Sequence, residues 1–221
     1  MVTCLIGLPG SGKSTLLSYL SFLAINGDSI NKRGFYISTC KSYDHVFTNF
    51  PCNGAYKLDF DMLGIAAYQN SMIFCDEIQL FADSRNFRNF TDNLSFWFTN
   101  HRKFKTDFCY CTQDFSFVDK RIRGITDRIY LIDMLPLRII RVREVLTSLN
   151  WNDLSQKFVP ASGLNCSYFF APRLFKYNDT FAMCKEVHFE PTPLIPWFGS
   201  EDEKKDALRS EQEKCCTKEA S

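Results

Sequence analysis

The segment Gly7-Leu8-Pro9-Gly10-Ser11-Gly12-Lys13-Ser14 constrains the chain around it more than any other stretch. It satisfies G-x-x-x-x-G-K-[ST], a pattern that has meaning only where a strand enters it and a helix leaves it. "VTCLI" (Val2 to Ile6) is a short apolar run of the kind buried in a parallel sheet. Lys13 to Ile25 reads as a helix, stopped by "NGD" at Asn26 to Asp28. In such a setting the glycines let successive backbone N–H groups point at phosphate oxygens, and the helix presents its positive N-terminus to the same anion. Gly7, Leu8, Pro9, Gly10, Ser11, Gly12, Lys13, Ser14 and Thr15 are therefore the candidate nucleotide cradle. Lys13 is expected to reach the β- and γ-phosphates, and the Ser14 hydroxyl to ligate Mg²⁺.

Phosphoryl transfer also needs a carboxylate that holds the metal from the far side. "SMIFCDE" (Ser71 to Glu77) supplies it: a continuous apolar run that closes on two acids. Asp76 is the candidate metal ligand. Glu77 is placed to orient and deprotonate an attacking water. A glutamate beside the metal aspartate points to hydrolysis rather than to transfer onto a substrate hydroxyl. Gln113 ends the next core strand, "DFCYCTQ" (Asp107 to Gln113), and parallel strands end on the side where ligands gather. It is a third catalytic candidate, against the plainer reading of a loop cap. Ring motors take an arginine from a neighbouring subunit. Of Arg85, Arg88, Arg102, Arg121 and Arg123, which follow the acid strand, Arg102 and Arg123 are the chosen candidates; the others read as surface charges.

Elsewhere the sequence predicts strands at Gly34 to Cys40, Tyr56 to Phe60, Asp127 to Met134 and Leu137 to Val145, the last at a sheet edge. Helices are expected over Phe87 to Lys103 and in "FVDKRIRGI" (Phe117 to Ile125). Strands alternating with helices give an α/β fold: a P-loop NTPase with a mostly parallel sheet, helices on both faces and a small irregular C-terminal region. The expected division is an ATPase domain over 1–147, an aromatic and Pro-rich region over 148–199, and a charged, disordered tail over 200–221.

Lys and Arg number 26 against 25 Asp and Glu, a net charge of +1, so any nucleic-acid contact must be local. Lys120, Arg121, Arg123, Arg128, Arg138, Arg141 and Arg143 make the middle of the chain basic, as a phosphate-facing surface or as a solvated face. The ten cysteines include no C-x-x-C and read as small buried hydrophobes in a reducing compartment. No secretory signal is visible, and the apolar run Leu16 to Ile25 is too short to span a bilayer. No N-K-x-D-like segment is present, which favours ATP over GTP.

The ordered set "LIGLPGSGKST", "MIFCDEIQLF" and "NHRKFKTDFCYCTQDFSFVDKRIRGITDRIYLI" resembles the zonula occludens toxin (Zot)-like family, which includes filamentous-phage assembly ATPases and is similar to the FtsK/HerA group of DNA-pumping ATPases. The resemblance covers roughly Met1 to Met134. It implies that Lys13 and Ser14 carry ATP and Mg²⁺, that Asp76 and Glu77 carry metal and water, and that Gln113 senses the γ-phosphate. It further implies a homo-oligomeric ring serving virion assembly, extrusion or packaging of single-stranded DNA. The expected location is the host cytoplasm, peripheral at the inner membrane, with a membrane-embedded export or capsid partner. Family members typically carry a membrane-spanning helix after the ATPase domain, and none is legible here. The alternative readings are a small nucleotide kinase and an ATP-gated interaction module.

Overall fold

The computed structural model describes residues 1–40, 42–64, 68–84, 91–145 and 166–177. Eight strands form one sheet: β1 (Val2–Ile6), β2 (His45–Thr48), β3 (Tyr56–Lys57), β4 (Ser71–Cys75), β5 (Asp107–Thr112), β6 (Arg128–Leu135), β7 (Ile139–Val145) and β8 (Cys166–Phe170). Their order is β3-β2-β4-β5-β1-β6-β7-β8. The first six in that order run parallel, and β7 and β8 are antiparallel additions. β1, β4 and β5 are buried along their whole lengths, which is why they read as unbroken apolar runs.

Helices cover both faces. On one, α1 (Lys13–Ile25) supplies Leu16, Leu17 and Leu20, each 0% exposed, to a core shared with Phe74, Cys109 and Tyr130. α1 is buried nearly all round because α4 (Ala171–Leu174) and the turn after it close over its outer side; Phe22 and Tyr177 rings lie 4.4 Å apart. On the other face, α2 (Asp92–Asn100) and α3 (Lys120–Ile125) bring Leu94, Trp97, Phe98 and Ile122 against Phe108 and Tyr110. α2 begins at Thr91, whose Oγ1 accepts from Leu94 N at 3.2 Å, and α3 begins at Asp119, whose carboxylate accepts from Arg121 N at 2.8 Å.

The structure differs from the sequence reading in three places. Gly34 to Cys40 is not a strand. Asn31 takes the N–H groups of Ile37 and Ser38 at 2.9 and 3.1 Å and donates to Ser38 O at 2.9 Å, while the Tyr130 hydroxyl takes the N–H of Tyr36 at 2.9 Å. Backbone groups met by side chains do not enter a ladder. The strand in that part of the sheet is the shorter β2. Next, β7 is not an edge: β8 pairs beyond it, Ile140 opposite Phe169. β8 and α4 also lie inside the stretch 148–199 that reads as irregular and separate, so the sheet draws on both sides of that boundary. The rest of 148–199 and all of the tail 200–221 lie outside the described residues, as do Arg85, Arg88 and the first four residues of the helix expected from Phe87. No helix among the described residues is long and apolar enough to cross a membrane.

Phe108 is 0% exposed and meets the rings of Trp97, Phe98 and Tyr110 at centroid distances of 6.2, 5.3 and 5.8 Å. Phe108→Ala is expected to lower the unfolding free energy by about 3–5 kcal/mol. The nucleotide affinity of the folded fraction is expected to be unchanged, because Phe108 sits at the far end of β5 from the phosphate loop. Urea unfolding and equilibrium binding check the two halves.

Candidate active site

The loop leaves the C-terminal end of β1, which lies between β5 and β6. Gly12 caps α1 with φ 91°, a left-handed conformation that disfavours a side chain, and a Cβ there would also lie 2.8 Å from Ile140 Cδ1 of β7. At Gly7 the obstacle is backbone: a Cβ would stand 2.6 Å from the Ile132 carbonyl oxygen of β6. Lys13 is 5% exposed and donates from Nζ to Gly7 O at 2.7 Å and Leu8 O at 3.1 Å. Its ammonium thus spans the loop. Ser11 Oγ is buried in the same loop with no hydrogen-bond partner. An unpaired buried hydroxyl and a desolvated ammonium in one concave turn suit an anionic ligand.

Asp76 directly follows β4 and is 9% exposed. Burial pushes its carboxyl above the ordinary carboxylate range; the Ser14 hydroxyl bound to it pulls the other way, the Glu77 charge adds to the rise, and Lys13 opposes it. A buried carboxylate and a hydroxyl already in contact fit a hard divalent cation, which favours oxygen ligands and neutralises the buried charge. Ser14 and Asp76 would hold that Mg²⁺, which when bound supplies charge neutralisation to a transferring phosphoryl group.

Glu77 adopts φ 49° and ψ 58°, a left-handed turn that takes the chain sharply out of the sheet. Its carboxylate lies between two amides. Gln113 Nε2 donates to Oε1 at 3.3 Å, and Gln79 Nε2 donates to Oε2. Lys13, Ser14, Asp76, Glu77 and Gln113 therefore converge at the ends of β1, β4 and β5, as the spacing of the motifs predicts.

The arginines are placed differently. Arg102 precedes β5 and pairs with Asp127, which precedes β6, so it stands at the opposite end of the central strands with its side chain 71% exposed. It does not join the site of its own chain. Arg123 is on α3, half-buried, its guanidinium 5.9 Å from the Phe115 ring centroid. Arg121, Arg128, Arg141 and Arg143 are each ion-paired, the last two with Asp133, so much of the basic stretch is locally neutralised.

Two residues escaped the sequence reading. Gln79 was legible only as part of the segment after the acid pair. Asn49 follows β2 and is 6% exposed; its Oδ1 accepts from Asp76 N and its Nδ2 donates to Asp76 O, both at 2.7 Å. A lone asparagine after a short strand carries no motif, and only the fold brings it to Asp76.

Residues 52–139 match the family model "Zonular occludens toxin (Zot)". The match includes Asp76, Glu77 and Gln113 and begins after the phosphate loop, which carries its own motif. Among solved structures, the chain is similar to the N-terminal domain of zonular occludens toxin from Neisseria meningitidis, with TM-score 0.50 and 19% identity over 74% of this chain and 93% of that one. It is also similar to the genome packaging NTPase B204 from Sulfolobus turreted icosahedral virus 2 in complex with ATP-gammaS, with TM-score 0.44 and 11% identity over 74% of this chain and 97% of that one. No curated protein matches. The family match bears out the resemblance over the second and third of its sequence segments, and the sheet, the loop and the Neisseria domain bear out the α/β P-loop NTPase fold.

Lys13→Ala removes the one ammonium in the cradle. The expected loss of affinity for a fluorescent ATP analogue is about 10–100-fold, the worth of a charge-assisted hydrogen bond, with the thermal midpoint little changed. Equilibrium titration beside a melting curve checks both.

Proposed function

We propose that this chain is a Zot-like P-loop ATPase that hydrolyses ATP, with Mg²⁺, to drive virion assembly or the packaging or extrusion of viral DNA. The observation that carries the reading is the position of Glu77. Its carboxylate is next to the metal aspartate and hydrogen-bonded to Gln113, at the end of the sheet where Lys13 and Ser14 lie. The family match over 52–139 and the fold shared with the Neisseria domain support the assembly context.

Each residue has a distinct task. The loop N–H groups and Lys13 bind the phosphates. Ser14 and Asp76 would hold the metal, which would neutralise phosphate charge there. Glu77 orients a water and accepts its proton, and Gln113, bonded to Glu77 Oε1, fixes the direction in which that carboxylate points. The reading extends to a homo-oligomeric ring in which Arg102 or Arg123 serves a neighbouring copy, acting on DNA or capsid partners in the host cytoplasm at the inner membrane. An arginine at the far end of the central strands, as Arg102 is, can complete a site only in trans.

Steady-state ATP hydrolysis against protein concentration, with and without single-stranded DNA, tests this for wild type and Glu77→Gln. The expected result is a steeper than linear dependence, stimulation by DNA, and a variant that loads nucleotide but turns over about 10²–10⁴-fold more slowly. A linear rate, indifferent to DNA and unchanged by Glu77→Gln, overturns the reading.

A further inference from the structure

We propose that Asn49 is a positioning residue of this site: its side-chain amide holds Asp76, and through it Glu77, in the geometry that takes up metal and water. The proposal rests on the ATPase reading above and adds a residue that no motif contains.

The β2–β4 ladder has Thr48 opposite Phe74 as its last register pair, and the β4–β5 ladder ends with Cys75 opposite Tyr110. Asp76 is therefore the first residue of its strand beyond both ladders, and its peptide groups are nonetheless buried. Asn49 meets them. Its amide accepts from the Asp76 N–H and donates to the Asp76 carbonyl at 2.7 Å each, so a side chain performs the pairing a continued strand would perform. At 6% exposure, water cannot replace it.

The consequence falls on the next residue. The Asp76 carboxylate accepts from the Glu77 N–H at 3.1 Å, and Glu77 enters its left-handed turn at φ 49°. A non-glycine residue keeps that conformation only where its surroundings over-determine it. Several contacts do so here: Asn49 on the preceding peptide, the Leu80 N–H on the Glu77 carbonyl at 2.9 Å, and Gln79 and Gln113 on the carboxylate. Asn49 is the side chain among them that touches neither carboxylate. It acts on both by fixing the backbone between them, and it couples the end of β2 to the state of the metal site.

Two variants of the full chain test this. Asn49→Ala removes both bonds. Asn49→Ser removes the paired bonds but adds no charge beside Asp76 and leaves a hydroxyl for its peptide groups, the milder change if Asn49→Ala does not fold. The probe is a fluorescent ATP analogue, titrated in EDTA and again against Mg²⁺, with thermal melting alongside. The expected result is affinity in EDTA within about twofold of wild type, with the Mg²⁺ concentration needed for tightening raised about 10–100-fold, as for residues that orient metal ligands. A variant that melts lower yet responds to Mg²⁺ as wild type does overturns the role of Asn49 and leaves the ATPase reading intact. A wild type whose binding is indifferent to Mg²⁺ overturns the site reading and the role of Asn49 with it.

Discussion

No side chain fits between residue 7 and the carbonyl of Ile132, and none fits between residue 12 and Ile140. The phosphate loop is seated against the backbone of β6 and the side chains of β7, so the glycines serve the seat as well as the turn. This makes the antiparallel additions part of the site's support. β7 is in turn held by β6 on one side and β8 on the other, and Asp133 binds Arg141 and Arg143 across that extension. The concavity of the loop thus rests on strands that carry none of its chemistry.

Within that seat, the protein's own groups hold the charges in place. Lys13 bonds to two carbonyls of its own loop, which keeps the loop closed around a desolvated cation. Asp76 is buried at a cost that shows as a raised proton affinity, and the nearby Ser14 and Lys13 offset part of it. Glu77 has both oxygens engaged by amides. These groups are fixed by the protein's own contacts, an arrangement suited to a polyanionic ligand.

The legible parts of the sequence are those in which local pattern and three-dimensional role coincide. The loop motif declares its strand and helix; an apolar run ending in Asp-Glu declares a buried strand with its acids at the tip; Gln113 follows because parallel strands finish on one side. Long-range satisfaction is not legible in this way. Gly34 to Cys40 has strand composition, but the partners of its backbone are Asn31 and the distant Tyr130. β8 alternates exposed and buried residues, and its place is set by pairing with β7 rather than by its own propensity. Asn49 is invisible for the same reason: its whole contribution is two bonds to a residue on another strand.

The central position of β1 has a consequence for how the chain comes to be folded. β1 has as its hydrogen-bonded neighbours β5, starting with Val2 against Phe108, and β6, starting with Thr3 against Arg128. More than a hundred residues must leave the ribosome before β1 has any partner, and β8 must follow before the sheet reaches its far edge. Until then the apolar β1 has no strand beside it, although β2 and β4 already offer α1 a surface. Contacts of such sequence separation fold slowly and leave aggregation-prone edges exposed in the meantime. The nucleotide cradle, which leaves the end of β1, is complete only after those later strands have joined.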